Sequence, residues 1–115
     1  MKTVDIKKHI ILTPQQRLDC VGANALEQQF ISMLGKKCNL WIIDMTNVDF
    51  IDSSGLSALV VGLKTAREHG YRLVICNLKP TVKLAFEITQ LDRVFQIFNN
   101  LDAIFSDFNL KLATA

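Results

Sequence analysis

The chain predicts a single α/β domain over residues 1–115, with a mostly parallel sheet of four or five strands and about four helices. Three observations lead there. Short apolar runs of strand length alternate with stretches whose apolar residues recur at helical spacing, and no repeat, linker or low-complexity tract interrupts them. The run Leu40-Trp41-Ile42-Ile43 is apolar without a break, as a central strand covered on both faces should be, which assigns Trp41 to the core. Finally, 50% of the residues are hydrophobic, enough for one core that needs no stapling.

Val4 to Leu12, ending in Ile10-Ile11-Leu12, reads as a first strand, and Thr13-Pro14 turns the chain through a hairpin-like connection into a second at Arg17-Leu18-Asp19. From Ala23 to Leu34 the spacing of Leu26, Phe30, Met33 and Leu34 predicts a first helix that Gly35 stops. The Leu40–Ile43 strand follows. Asp52-Ser53-Ser54-Gly55 then opens a second helix with Leu56, Leu59, Val60 and Leu63 along one face and Gly70 at its end. Either Asp52 or Ser53 can cap it. Tyr71 to Leu78 is a further strand, Pro80 begins a helix carrying Val82, Leu84, Ala85 and Ile88, and Val94 to Phe98 is a short last strand. Leu101 to Phe108 forms a terminal helix capped by Asn100.

The formal charge of +2 is small, and Lys7-Lys8 and Lys36-Lys37 are isolated pairs that read as solvated edges, so no nucleic-acid partner is expected. Asp44, Asp49 and Asp52 crowd one end of the central strand, an acidic rim suited to a basic protein surface. Cys20, Cys38 and Cys76 are odd in number and lack CxxC or Cys/His spacing, which assigns each to core packing and calls for neither disulfide nor zinc. No other metal and no cofactor is called for, because the carboxylates come without His or Cys at ligand spacing. The polar start Met1-Lys2-Thr3-Val4-Asp5 is no signal peptide, and no apolar run approaches the roughly 18 residues of a membrane span. A cytoplasmic protein without a membrane partner is expected.

A serine nucleophile needs a base within reach. His69 lies on the helix that starts near Ser54, roughly 22 Å away at about 1.5 Å per residue; His9 in the first strand stays open as a base, but no Gly-x-Ser-x-Gly elbow is present, so the chain reads as no enzyme. Gly62-Leu63-Lys64-Thr65 has the Gly and Lys apart and inside a helix, so it is no phosphate-binding loop. What the helix opening does offer is a hydroxyl pair at a positive dipole end that welcomes an anion, a phosphoserine included. If Ser53 caps the helix, its side chain turns back onto helix amides and Ser54 points outward, with Gly55 leaving the approach open.

The stretch Asp44, Thr46, Phe50, Ile51, Asp52, Ser53, Ser54, Gly55, Leu56 closely resembles the phosphoacceptor segment of the STAS domain family, the anti-sigma factor antagonists of bacteria. The likeness runs over nearly all the chain. Arg17-Leu18-Asp19 is similar to that family's Gly-Arg-Leu-Asp on the second strand, with Gln16 where the family commonly has Gly, and Val74 to Leu78 followed by Pro80 is similar to its fourth strand and next helix.

The resemblance implies that Ser54, immediately before the Gly, is the phosphoacceptor, and that Arg17, Asp19, Asp52, Ser53, Gly55 and Leu56 meet the partner. It implies an anti-sigma factor that is also a serine kinase, captured by the unmodified form so that sigma is freed, and a PP2C-type phosphatase that restores the form capable of capture. Phosphorylation adds about −1.5 to −2 charges. The helix end favours that phosphate by about 0.3–2 kcal/mol, whereas an unmatched charge in an interface costs about 2–5 kcal/mol, so binding should be lost while the fold is kept. The alternative is a docking subunit of a transporter or larger signalling scaffold built on the same fold.

Overall fold

The computed structural model describes residues 8–36 and 38–109. Strand β1 (His9–Leu12) leads into β2 (Gln16–Leu18), helix α1 (Cys20–Met33), β3 (Leu40–Asp44), β4 (Val48–Ile51) and helix α2 (Ser53–Glu68). Then come β5 (Arg72–Cys76), α3 (Pro80–Ile88), a 3-10 turn (Leu91–Arg93), β6 (Gln96–Phe98) and α4 (Leu101–Asp107). Among the described residues, β1, β3, β5 and β6 form a four-stranded sheet in that order, all neighbours parallel, and β2 and β4 form a separate parallel pair. The expected α/β architecture, mostly parallel sheet and four helices stand.

The sheet is covered on both faces, as the unbroken apolar run of β3 requires. Trp41, Ile43, Leu73 and Ile75 pack with α1, α2 and α3, while Leu40, Ile42, Val74 and Cys76 pack with Ile104 and Phe105 of α4. Trp41 is fully buried between the rings of Phe30 and Tyr71, with centroids 5.6 and 5.3 Å away. Asn100 caps α4 as expected, its Oδ1 accepting from the Ala103 N–H at 2.8 Å.

Several expectations are corrected. The chain makes no hairpin at Thr13-Pro14, because Gln16 adopts a left-handed φ of 54° and carries β2 away from β1 to pair with β4. The Val4–Lys7 part of the first strand lies outside the described residues. Helix α1 starts at Cys20 rather than Ala23, since Asp19 caps it and accepts from the Gly22 N–H at 3.2 Å. Cys20 is therefore exposed, not in the core; Cys38 and Cys76 are buried. On α3 the inward residues are Val82 and Phe86, and Leu84 and Ile88 face out; on α2, Val60 faces out. The residues before Gln96 that were expected in the last strand belong to the 3-10 turn and the chain leaving it.

Candidate functional site

The site is built where β2 and β4 end side by side. Leu18 pairs with Ile51, so the next residues, Asp19 and Asp52, occupy neighbouring strand ends, and each caps the helix that follows. Asp52 has extended backbone, and its Oδ1 accepts from the N–H groups of Ser54 at 2.9 Å and Gly55 at 3.2 Å. Its own N–H donates to the Leu18 carbonyl at 3.3 Å, tying the cap to β2.

Asp52, not Ser53, is thus the cap. Ser53 becomes the first helical residue and Ser54 the second, and neither hydroxyl has a hydrogen-bond partner among the described residues. Exposure alone does not select between them, as Ser53 is exposed and Ser54 half-buried. Gly55 also has a packing role. A Cβ there would run into the Leu18 carbonyl oxygen and come within 2.7 Å of Leu18 Cβ, so the missing side chain lets α2 dock against β2. Gly55 and Leu56 are buried in the first turn of α2.

Arg17 lies over the Phe50 ring at 4.2 Å, and its Nε donates to Asp19 at 3.3 Å. The Gly22 N–H, followed by Arg17, holds the Asp19 carboxyl below its ordinary value of 3.8. The expected acidic rim is thinner than the sequence suggests. Asp44 is only 7% exposed and accepts from the Thr46 N–H at 3.1 Å and Asn77 Nδ2 at 3.0 Å, while Asp49 is paired with Lys79. Burial, then the Asp44 charge, pushes the neighbouring Cys76 thiol up to about 12.

An open cleft of about 570 Å³ runs between the first turns of α1 and α2, lined by Cys20, Asn24 and Glu27 on one side and Ser53, Ser54 and Ser57 on the other. Spacing on α1 could have revealed its half of this wall, but only once Asp19 was known to start the helix. Both described histidines lie elsewhere. His69 caps the far end of α2, with Nδ1 2.8 Å from the Thr65 carbonyl oxygen, and His9 packs on Phe105 beneath the opposite face of the sheet. What the cleft offers chemically is two unpaired hydroxyls at a helix start, reachable by a second protein.

The sequence profile of the STAS domain matches residues 1–104. A Bordetella bronchiseptica protein described as an anti-sigma factor antagonist is 28% identical over 103 residues, covering 90% of this chain and 89% of the relative. A Listeria monocytogenes anti-sigma-B factor antagonist is 37% identical over 57 residues, half of each chain. Among solved structures, a Thermotoga maritima protein described as an anti-sigma factor antagonist superposes with a TM-score of 0.81 at 25% identity, over 94% of this chain and 92% of that one. A Wolinella succinogenes protein of the sulfate transporter family shares the fold alone, with a TM-score of 0.79 at 16% identity over 94% and 89% of the two chains. With the profile spanning the strands, the two capped helices and the serine pair, the chain belongs to the STAS domain family.

Proposed function

We propose that the chain is an anti-sigma factor antagonist controlled by phosphorylation of Ser54. In its unmodified form it captures an anti-sigma factor that is also a serine kinase, freeing a sigma factor in the cytoplasm; the kinase then phosphorylates Ser54 and ends the capture, and a PP2C-type phosphatase reverses the modification. The chain is a binding module rather than an enzyme. Similarity to relatives described as anti-sigma factor antagonists supports the role. The observation that carries the switch is the Asp52-capped start of α2: with its amides already satisfied by Asp52, the serine hydroxyls are free for chemistry that leaves the helix intact. Ser54 rather than Ser53 is chosen because it is the residue before Gly55, in the register of the family's acceptor. Arg17, Asp19, Asp52 and Ser53 form the rim that the partner meets first.

The test is to incubate the chain with cell extract and ATP and map the modified residue by mass spectrometry. Label on Ser54 in the wild type and none on Ser54→Ala supports the reading. Stoichiometric label at Ser53 in Ser54→Ala overturns the choice of residue, and no label on any serine overturns the switch.

A further inference from the structure

Another cleft lies at the far end of α2, roughly 20 Å along the helix from Ser54 at about 1.5 Å per residue. It encloses about 150 Å³ between the end of α2 (Leu63, Arg67), the start of β5 (Tyr71, Arg72, Leu73) and the chain entering β6 (Val94, Gln96). Most of its wall is held in place. The Tyr71 N–H donates to the Ala66 carbonyl at 2.8 Å, and the Tyr71 ring lies against buried Trp41 with centroids 5.3 Å apart. Arg72 Nη2 donates to Gln96 Oε1 at 2.5 Å, and its guanidinium lies 5.1 Å from the centre of the Phe108 ring. Arg67 differs: it is exposed and has neither a hydrogen-bond acceptor nor a carboxylate partner among the described residues. No carboxylate lines the cleft; Glu68 and Asp92, the acidic residues closest to it in the chain, are exposed outside it.

We infer that this cleft binds a small organic carboxylate, with Arg67 as the clamp on its two oxygens. A guanidinium without a partner matches a carboxylate through two parallel hydrogen bonds. Arg72, already held by Gln96 and Phe108, stays at the rim and adds positive potential. Leu63, Leu73 and Val94, the last 43% exposed, offer aliphatic surface to the carbon body of the acid. Two terms favour a carboxylate over phosphate. The carbonyl oxygens that end α2 place a negative dipole beside Arg67, which opposes a dianion more than a monoanion. Phosphate also has no carbon body to cover the aliphatic wall. A free aliphatic acid and the C-terminal residue of another protein both present the required group. The site rests on these residues alone and not on the phosphorylation switch.

The test is proton–nitrogen NMR titration of the full chain, at constant ionic strength, with four probes: isovalerate, N-acetyl-leucine as the mimic of a protein C-terminus, isovaleramide as the neutral counterpart, and inorganic phosphate. We expect isovalerate to shift the amides of Tyr71, Leu73 and Val94 with saturation in the millimolar range. Isovaleramide should bind the wild type at least about tenfold more weakly, and isovalerate should bind Arg67→Gln at least about tenfold more weakly. The urea midpoint of Arg67→Gln should equal that of the wild type, because the side chain is exposed. N-acetyl-leucine binding more tightly than isovalerate supports the site and assigns it to a protein C-terminus, and the reverse order supports it and assigns a free acid. No shift of these amides at about 20 mM of either carboxylate overturns the site. Equal binding of isovaleramide, or undiminished binding by Arg67→Gln, overturns the clamp, and phosphate binding as tightly as isovalerate overturns the class of ligand.

Discussion

Cys76 and Cys20 have opposite surroundings, and the difference is measurable. Cys76 is buried at the end of β5 beside Asp44, and its thiol is pushed up to about 12, so at neutral pH it is neither ionised nor reachable. Cys20 stands exposed at the start of α1. Iodoacetamide at pH 8 should therefore modify Cys20 alone in the folded protein, with Cys38 and Cys76 reacting only in denaturant; mass spectrometry showing Cys76 modified as fast as Cys20 contradicts the structure. At Asp19 the charged form is favoured by the Gly22 N–H and by Arg17, so its folded pKa lies below the unfolded value. Stability from this group is complete above the unfolded value near 3.8 and disappears as pH falls through the lower folded value. Asp19→Asn keeps a competent cap but not the charge. In urea titrations the wild type should exceed it in stability at pH 7, and the gap should close in acid below pH 3.8; a gap that is constant with pH assigns Asp19 no such part.

Two helical glycines invert a usual rule. Gly→Ala inside a helix ordinarily stabilises by about 1 kcal/mol. At Gly55 the new methyl would meet the Leu18 carbonyl oxygen, and at Gly62 the Phe30 ring, where overpacking costs about 1–3 kcal/mol. Both alanine variants should lower the urea midpoint, Gly55→Ala more, because backbone yields less than a ring. Midpoints above wild type contradict this packing. Gln16→Gly should act in the opposite sense, since a left-handed φ of 54° costs a non-glycine residue about 1–2 kcal/mol. Such element-level facts were unevenly legible in the sequence. The unbroken run of β3, the spacing of Leu56, Leu59 and Leu63 on α2 and the cap at Asn100 follow local rules that one segment satisfies alone. β4 does not: Asp49 and Phe50 both point out between buried Val48 and Ile51, which breaks the alternation of a strand, and its partner β2 is distant in sequence. Helix α3 is apolar at five of the eight positions after Pro80, so spacing could not say that Phe86, rather than Leu84 or Ile88, faces the sheet. Asp52 and Ser53 are both good caps, and only the three-dimensional tie to Leu18 decides for Asp52.

Across the whole molecule, the parts that hold the fold are separate from the part that the switch would change. One core lies between the sheet and α1, α2 and α3, and the other between the sheet and α4, while Ser54 sits half-buried at the rim of the first. Ser54→Asp adds a charge near the positive end of a 16-residue helix, worth about 0.3–1 kcal/mol in its favour, against repulsion from Asp52 next to it. These terms oppose each other, so unfolding stability should change by less than about 1 kcal/mol. Under the proposed switch the same charge is unmatched in the partner interface, and affinity should fall at least about tenfold, roughly 1.4 kcal/mol. A substitution in the far core sets the scale: Ile104 is fully buried under the sheet, and Ile104→Ala should cost about 2–5 kcal/mol. Urea unfolding of both variants, with calorimetry of Ser54→Asp against the kinase, separates the two effects. If Ser54→Asp loses as much stability as Ile104→Ala, its loss of binding is only loss of fold, and the charge-operated switch fails; if it keeps its midpoint and loses the partner, the charge acts at the interface.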